Sequence, residues 1–172
     1  QALNLRSFIL ENFEEALLTY DESKKEELIN ISIVGGGPTG VELAGALGEM
    51  RKNILPKDYP EIDFTKMQIH LFESGDRLLG AMHPENSAKV LKYVKDFGVE
   101  VWLNTMVTDF DGDVLTTADG KKVKCETLIW TAGVKGNPVE GFAPETIAGG
   151  NRISVDEYCK IKGYENIYAI GD

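Results

Sequence analysis

Three glycines set between a β-branched run and an apolar helix leave this chain few ways to fold. The stretch Ile29-Asn30-Ile31-Ser32-Ile33-Val34-Gly35-Gly36-Gly37-Pro38-Thr39-Gly40-Val41-Glu42-Leu43-Ala44 reads as a β-strand, a tight turn and a helix start, with Gly35, Gly37 and Gly40 in G-x-G-x-x-G spacing. Gly35 lets the strand turn sharply. Gly37 carries no Cβ to hold backbone away from a phosphate, and Gly40 lets the helix lie close to the strand. Pro38 suits the first helical turn, where its missing N–H costs nothing, and the helix N-terminal amides then face an anion. The turn, including Pro38 and Thr39, is thus a candidate cradle for a dinucleotide pyrophosphate. Gly40, Ala44 and Gly48 continue at i+4 and give a smooth face suited to packing against a sheet or a second domain, with Leu43, Leu47 and Met50 as a neighbouring apolar stripe.

The next strand, Met67 to Glu73, ends in an acid. A carboxylate at that place accepts hydrogen bonds from the adenosine ribose hydroxyls and repels a 2′-phosphate, so Glu73 points to NADH over NADPH. Arg77, four residues on, bears on the same choice, because an arginine near this loop accommodates a 2′-phosphate. The interval from turn to acid is longer than usual, and Asn53 to Lys66, with Pro56 and Pro60, reads as an insertion.

The remaining chain supports an α/β domain. Leu5, Phe8, Ile9, Phe13, Ala16 and Leu17 share one helical face, whereas Asp21 to Glu27 reads as charged, solvated surface. Pro84 opens a helix with Ala88, Leu91, Val94 and Phe97 on one face; Gly98 caps it and Val99 to Leu103 forms a third strand. From Thr105 to Lys124 short strands are split by Asp111-Gly112 and Asp119-Gly120, two hairpin signals, so a β-meander stands where a doubly wound fold normally places a helix. Cys125 to Thr131 reads as a further buried strand ending in Ala132-Gly133, and the chain stops on what reads as another, whose last residues are Gly171-Asp172. The fold class is α/β, a Rossmann-like parallel sheet with a β-meander crossover.

With 172 residues, 42% hydrophobic content and a net charge of −10, the chain is globular, and its charge argues against nucleic acid and against docking on an anionic membrane. It has no apolar run of transmembrane length and no visible signal peptide. Cys125 and Cys159 form no C-x-x-C pattern and read as reduced thiols, which suits a cytoplasmic protein. No metal site is expected: Asp109, Asp111 and Asp113 imitate a calcium loop but lack its Glu at the twelfth position, and Asp111-Gly112 already explains a turn. His70 and His83 lack a marked carboxylate, Ser or Cys partner and read as structural or surface residues; Trp130 reads as core. The start without Met and the stop at Tyr168-Ala169-Ile170-Gly171-Asp172 suggest a piece of a larger protein.

Gly35 to Leu47, Ile129-Trp130-Thr131-Ala132-Gly133-Val134 and Ile167-Tyr168-Ala169-Ile170-Gly171-Asp172, together with the meander, make the chain resemble the NAD-binding domain of the glutathione-reductase-like two-dinucleotide flavoproteins. Trp130 to Pro138 and Leu5 to Phe13 look most like type II NADH:quinone oxidoreductases. The resemblance implies a parent enzyme that passes hydride from NADH to FAD, and on to a quinone at the membrane surface. Under it, Gly35, Gly37 and Gly40 hold the pyrophosphate, Glu73 the ribose, and Glu42 lies near the nicotinamide. Ala132 and Gly133 form a small-residue floor beneath the nicotinamide, and Asp172 contacts FAD. It also implies an opening helix and charged linker from an FAD domain over 1–28, the NAD-binding domain over 29–148, and a return segment over 149–172. The partners it implies are the FAD domain of the same chain, a quinone, and the cytoplasmic face of a membrane for the parent. This chain by itself is expected to bind NADH without turnover and to hold no catalytic residue. Two other readings share these residues: the NAD domain of a soluble ferredoxin, nitrite or disulfide reductase, and a non-redox NAD-binding module.

Overall fold

The strand before the glycine turn is β1 (Ile31–Val34), buried on both faces, and the rest of the first unit is built around it. A computed structural model describes residues 2–133, 135–137 and 139–171, in two compact units, 1–132 and 133–172.

In the first unit, β1 pairs in parallel with β2 (Ile69–Phe72) on one side and β7 (Thr127–Trp130) on the other, and β3 (Glu100–Trp102) extends the sheet beyond β2. The order β3-β2-β1-β7 places the switch of direction at β1, directly beside the glycine turn. Helix α3 (Pro38–Asn53) joins β1 to β2, and α5 (Pro84–Asp96) joins β2 to β3. The last crossover is the expected meander: β4 (Val107–Phe110), β5 (Val114–Thr117) and β6 (Lys122–Lys124) pair antiparallel in that order. Gly112 at φ +114° and Gly120 at φ +83° make its two turns.

Side chains leave the sheet alternately, which divides the core in two. Ile31, Ile33, Ile69, Leu71 and Ile129 pack under the helices with Ala44, Leu47, Val94 and Val99. Val34 and Phe72 pack under the meander with Val107 and Leu115, and the Phe72 and Trp102 rings stack at 5.5 Å.

Several expectations are corrected here. Among the described residues the segment before β1 forms two helices that contribute to this core. In α1 (Ala2–Leu18) the inward face is Leu5, Ile9, Asn12, Phe13 and Ala16, while Phe8 and Leu17 are exposed. Asn12 is buried because its amide donates to Thr127 Oγ1 at 3.1 Å, which satisfies it inside the core. The charged stretch forms α2 (Glu22–Ile29), capped by Asp21, whose carboxylate accepts from the Ser23 and Lys24 amides. Its charges are paired: Lys24 bonds Glu126, Glu27 accepts from Lys124 at 2.6 Å, and Lys66 reaches Glu22 and Glu26 at 3.2 and 3.3 Å. The insertion 53–66 contains α4 (Leu55–Asp58) and is part of the core, because Tyr59 and Phe64 meet Phe13 edge-on at 5.7 and 5.6 Å. In α5 the buried face turns by one residue: Ser87 and Val94 are buried and Ala88 is exposed. Gly98, at φ +74°, ends that helix. The smooth face of α3 packs inside the unit, with Gly40, Ala44, Leu47 and Gly48 all buried.

The second unit is short on regular structure. β8 (Ile147–Ala148) pairs antiparallel with β9 (Arg152–Ile153), and isolated bridges join Val155 to Ile161 and Lys160 to Tyr168. Ile161 and Thr146 are buried, and the Tyr164 hydroxyl accepts from the Ala143 amide at 3.2 Å. The buried strand expected at the end of the chain is absent among the described residues: Tyr168 is 59% exposed and Ile170 89%. The expected boundary at 148/149 falls within this unit, which begins at Gly133.

Candidate functional site

Each glycine of the turn meets a different constraint. Gly35 has φ +114°, and a Cβ there would stand 2.8 Å from both the Ala132 amide nitrogen and Thr131 Oγ1. At Gly40 a Cβ would overlap the Gly35 carbonyl oxygen, so only glycine lets α3 start this close to the turn. Gly37 is the opposite case. It is the N-cap of α3, offers no side-chain cap, and has open space where a Cβ would go. Gly37, Pro38 and Thr39 are exposed between the buried Gly35-Gly36 pair and the buried Gly40. The turn therefore presents an uncapped helix N-terminus on a bare backbone shelf, the geometry a phosphate group needs.

Glu73 follows β2 directly, and its carboxylate reaches across to the turn. Oε2 accepts from the Gly36 amide at 2.6 Å and Oε1 from the Gly75 amide at 2.6 Å. Its backbone is fixed as well, the amide donating to Trp102 O and the carbonyl accepting from Thr105 N, both at 2.9 Å. The Ser74 hydroxyl also donates to Oε1, at 3.3 Å; a carboxylate has about four acceptor positions, so Oε2 can accept again and Oε1 can once that exposed hydroxyl turns away. Arg77 turns into its own loop, where Nη2 donates to Gly80 O at 2.8 Å.

Opposite the turn, the end of β7 is tied to β1. The Thr131 amide donates to Val34 O at 2.8 Å, and its hydroxyl to the same oxygen at 2.9 Å with Gly35 O at 3.2 Å. Ala132 is half-buried against the Val34–Phe72 cluster. Gly133 opens the second unit at φ +71°. Glu42 is exposed in the first turns of α3. Asp172, expected to contact FAD, lies outside the described residues.

Trp130 was expected in the core, but it is 59% exposed, with its indole donating to Ala132 O at 3.0 Å. It is the last residue of a strand at the sheet edge, which leaves its ring without a covering layer among the described residues. His70 is buried behind the sheet under the meander. Its Nδ1 accepts from the Trp102 indole at 3.2 Å with Glu100 Oε2 also at 3.2 Å, and Nε2 lies 3.3 Å from Gln68 Oε1. Burial pushes its pKa down and Glu100 partly opposes that. The Asp111 carboxylate accepts from the Asp113 and Val114 amides in its own hairpin, and these hold its pKa below the usual carboxylate range. Burial pushes the Cys125 thiol up, and both cysteines are free.

Sequence reasoning passed over Gly36 and Thr131. The middle glycine of Gly35-Gly36-Gly37 is superfluous to the motif spacing and was a usable signal; nothing local marks Thr131.

A shelf of bare backbone at the switch point of a parallel sheet, with an acid at the end of β2 and a meander for the last crossover, defines a dinucleotide-binding domain. The chain belongs to the pyridine nucleotide-disulphide oxidoreductase family, whose pattern matches residues 7–172. It is 39% identical over 164 residues to a type II NADH:quinone oxidoreductase of Haemophilus influenzae, covering 94% of this chain and 35% of that protein. It is 32% identical over 180 residues to the type II NADH:quinone oxidoreductase NdhA of Mycobacterium tuberculosis, covering 99% and 38%. The fold is shared with the solved structure of NDH2 from Plasmodium falciparum, at TM-score 0.72 and 24% identity over 79% of this chain and 29% of that one. The chain thus spans little more than a third of the length of the curated relatives it matches. No described helix is long and apolar enough to cross a membrane.

Proposed function

We propose that this chain is the NADH-binding domain of an FAD-dependent NADH dehydrogenase that passes electrons to a quinone, as the names of its relatives indicate for them. The observation that carries the reading is the Glu73 carboxylate, held by two backbone amides beside the exposed glycine shelf. Gly35, Gly37, Pro38, Thr39 and Gly40 receive the pyrophosphate on backbone N–H groups, with the positive end of the α3 dipole behind them. Glu73 accepts from the two ribose hydroxyls and disfavours a 2′-phosphate by like charge. The bound nucleotide supplies the hydride. The residues of this chain orient it: Thr131 fixes the turn against β7, Ala132 and Gly133 leave room for the nicotinamide, and Glu42 lies toward that end. Asp172 is assigned to FAD, and the FAD-binding, quinone and membrane contacts to other parts of the longer protein, placed peripherally on the cytoplasmic membrane.

Calorimetric titration with NADH and NADPH tests the reading. NADH should bind preferentially, and Glu73→Ala should weaken it by ten-fold or more, the loss of roughly 1.5–3 kcal/mol expected for hydrogen bonds to a charged group. Equal binding of both nucleotides, unchanged in Glu73→Ala, would remove Glu73 from the site.

A further inference from the structure

We infer that Gly36 is a specificity-determining position: its N–H and its missing side chain together hold Glu73 where the carboxylate distinguishes a ribose 2′-hydroxyl from a 2′-phosphate. The inference rests on the dinucleotide reading above and goes beyond it, because the phosphate turn itself does not require this glycine. Gly36 is not among the glycines with positive φ, so its backbone would accept alanine. Its neighbours would not. A Cβ there would stand 2.8 Å from Glu73 Oε2, 2.9 Å from Glu73 Cβ and 2.7 Å from Leu78 Cδ2.

Both sides of this residue are clasped by the loop after β2. The Gly36 amide donates to Glu73 Oε2 at 2.6 Å, and the Gly36 carbonyl accepts from the Leu79 amide at 2.8 Å. Leu79 sits at φ +52°, a conformation that leucine rarely adopts. The Gly75 amide takes the other carboxylate oxygen. A glutamate on a free surface samples many rotamers, and ordering it on binding reduces affinity; here that ordering is complete before any ligand arrives. The fixed charge also denies a 2′-phosphate the choice of pushing the carboxylate aside. Gly36 is therefore a positioning residue acting through Glu73, and Gly37, with open space beside it, does a separate job.

The test is titration of Gly36→Ala with NADH and NADPH, beside the unaltered chain. The added methyl forces Oε2 off the amide, so NADH affinity should fall about ten-fold or more. NADPH affinity should fall less or rise, and the NADH preference should shrink by a similar factor. Glu73→Asp keeps the charge but is one methylene too short to reach the Gly36 amide, and it should shrink the preference without altering the turn. A role confined to structure would lower both affinities equally; an unchanged preference in either variant overturns the inference and leaves the dinucleotide reading standing. An unaltered chain that binds neither nucleotide overturns the reading and the inference with it. Amide spectra give a readout that needs no nucleotide: the Gly75 amide proton, donor to the same carboxylate, should move in Gly36→Ala, and an unmoved resonance overturns the tether.

Discussion

Two glycines in one helix should respond in opposite directions to the same substitution. Gly40 and Gly45 both lie in α3, and alanine in place of glycine favours a helix by about 0.8–1 kcal/mol. At Gly45 a Cβ meets nothing within 4 Å, so Gly45→Ala should gain about 0.5–1 kcal/mol. At Gly40 the methyl would overlap the Gly35 carbonyl oxygen and stand 2.8 Å from Thr131 Oγ1. Neither can step aside: one is backbone, and the other is held on Val34 O. Restoring an ordinary contact of about 3.5 Å requires α3 to withdraw by about 1 Å or more. Overpacking of this kind costs about 1–3 kcal/mol, enough to cancel the helix gain and reverse its sign. The two variants should therefore differ by about 1–3 kcal/mol, the overpacking cost, which for a chain of this size separates their melting temperatures by roughly 2–12 °C. Thermal unfolding followed by circular dichroism reads the difference directly. If Gly40→Ala stabilises as much as Gly45→Ala, the turn and helix are not packed as described.

Arg51 bridges two elements, donating from Nη1 to Met67 O at 3.0 Å and from Nη2 to Phe97 O at 3.1 Å. Arg51→Met should cost about 2–4 kcal/mol and lower the melting temperature by roughly 5–15 °C; a change no larger than that of a surface substitution would refute the bridge. Burial lowers the folded-state pKa of His70 from 6.5, so the unfolded chain takes up this proton first as pH falls. Stability should therefore drop as pH decreases from about 6.5 toward the lowered value, above the range where Asp63, Asp111 and Asp119 are lowered from 3.8. Urea midpoints across that interval should slope in the unaltered chain and flatten in His70→Gln, and equal slopes would assign the effect elsewhere.

The elements announced by strong local signals were legible in the sequence. The glycine turn, both hairpins of the meander and the Gly98 stop follow from backbone conformations that few other residues adopt. Details set by distant partners were not. The inward turn of α1 toward Asn12 depends on Thr127, and a polar residue on an apolar face gives no hint of such a partner. The clasp on Gly36 needs Glu73 and Leu79, and the strut from Thr131 needs Val34. Trp130 shows the same limit, since its place in an apolar run says nothing about whether a layer covers the sheet edge. The helix α2 was hidden by its charges, although Asp21 before Glu22 was a readable cap.

The bond from Asn12 to Thr127 spans 115 residues, and it has a consequence for synthesis. Helix α1 has its polar partner on β7, a strand made much later, and the same strand covers the second edge of β1. At roughly 5–20 residues per second, about ten seconds pass between the appearance of α1 and that of β7. During that interval Asn12 and one side of β1 lack their final neighbours. The nascent chain is then open to capture by chaperones or to pairing with another strand edge, and closure of the unit comes as a late event when β7 arrives.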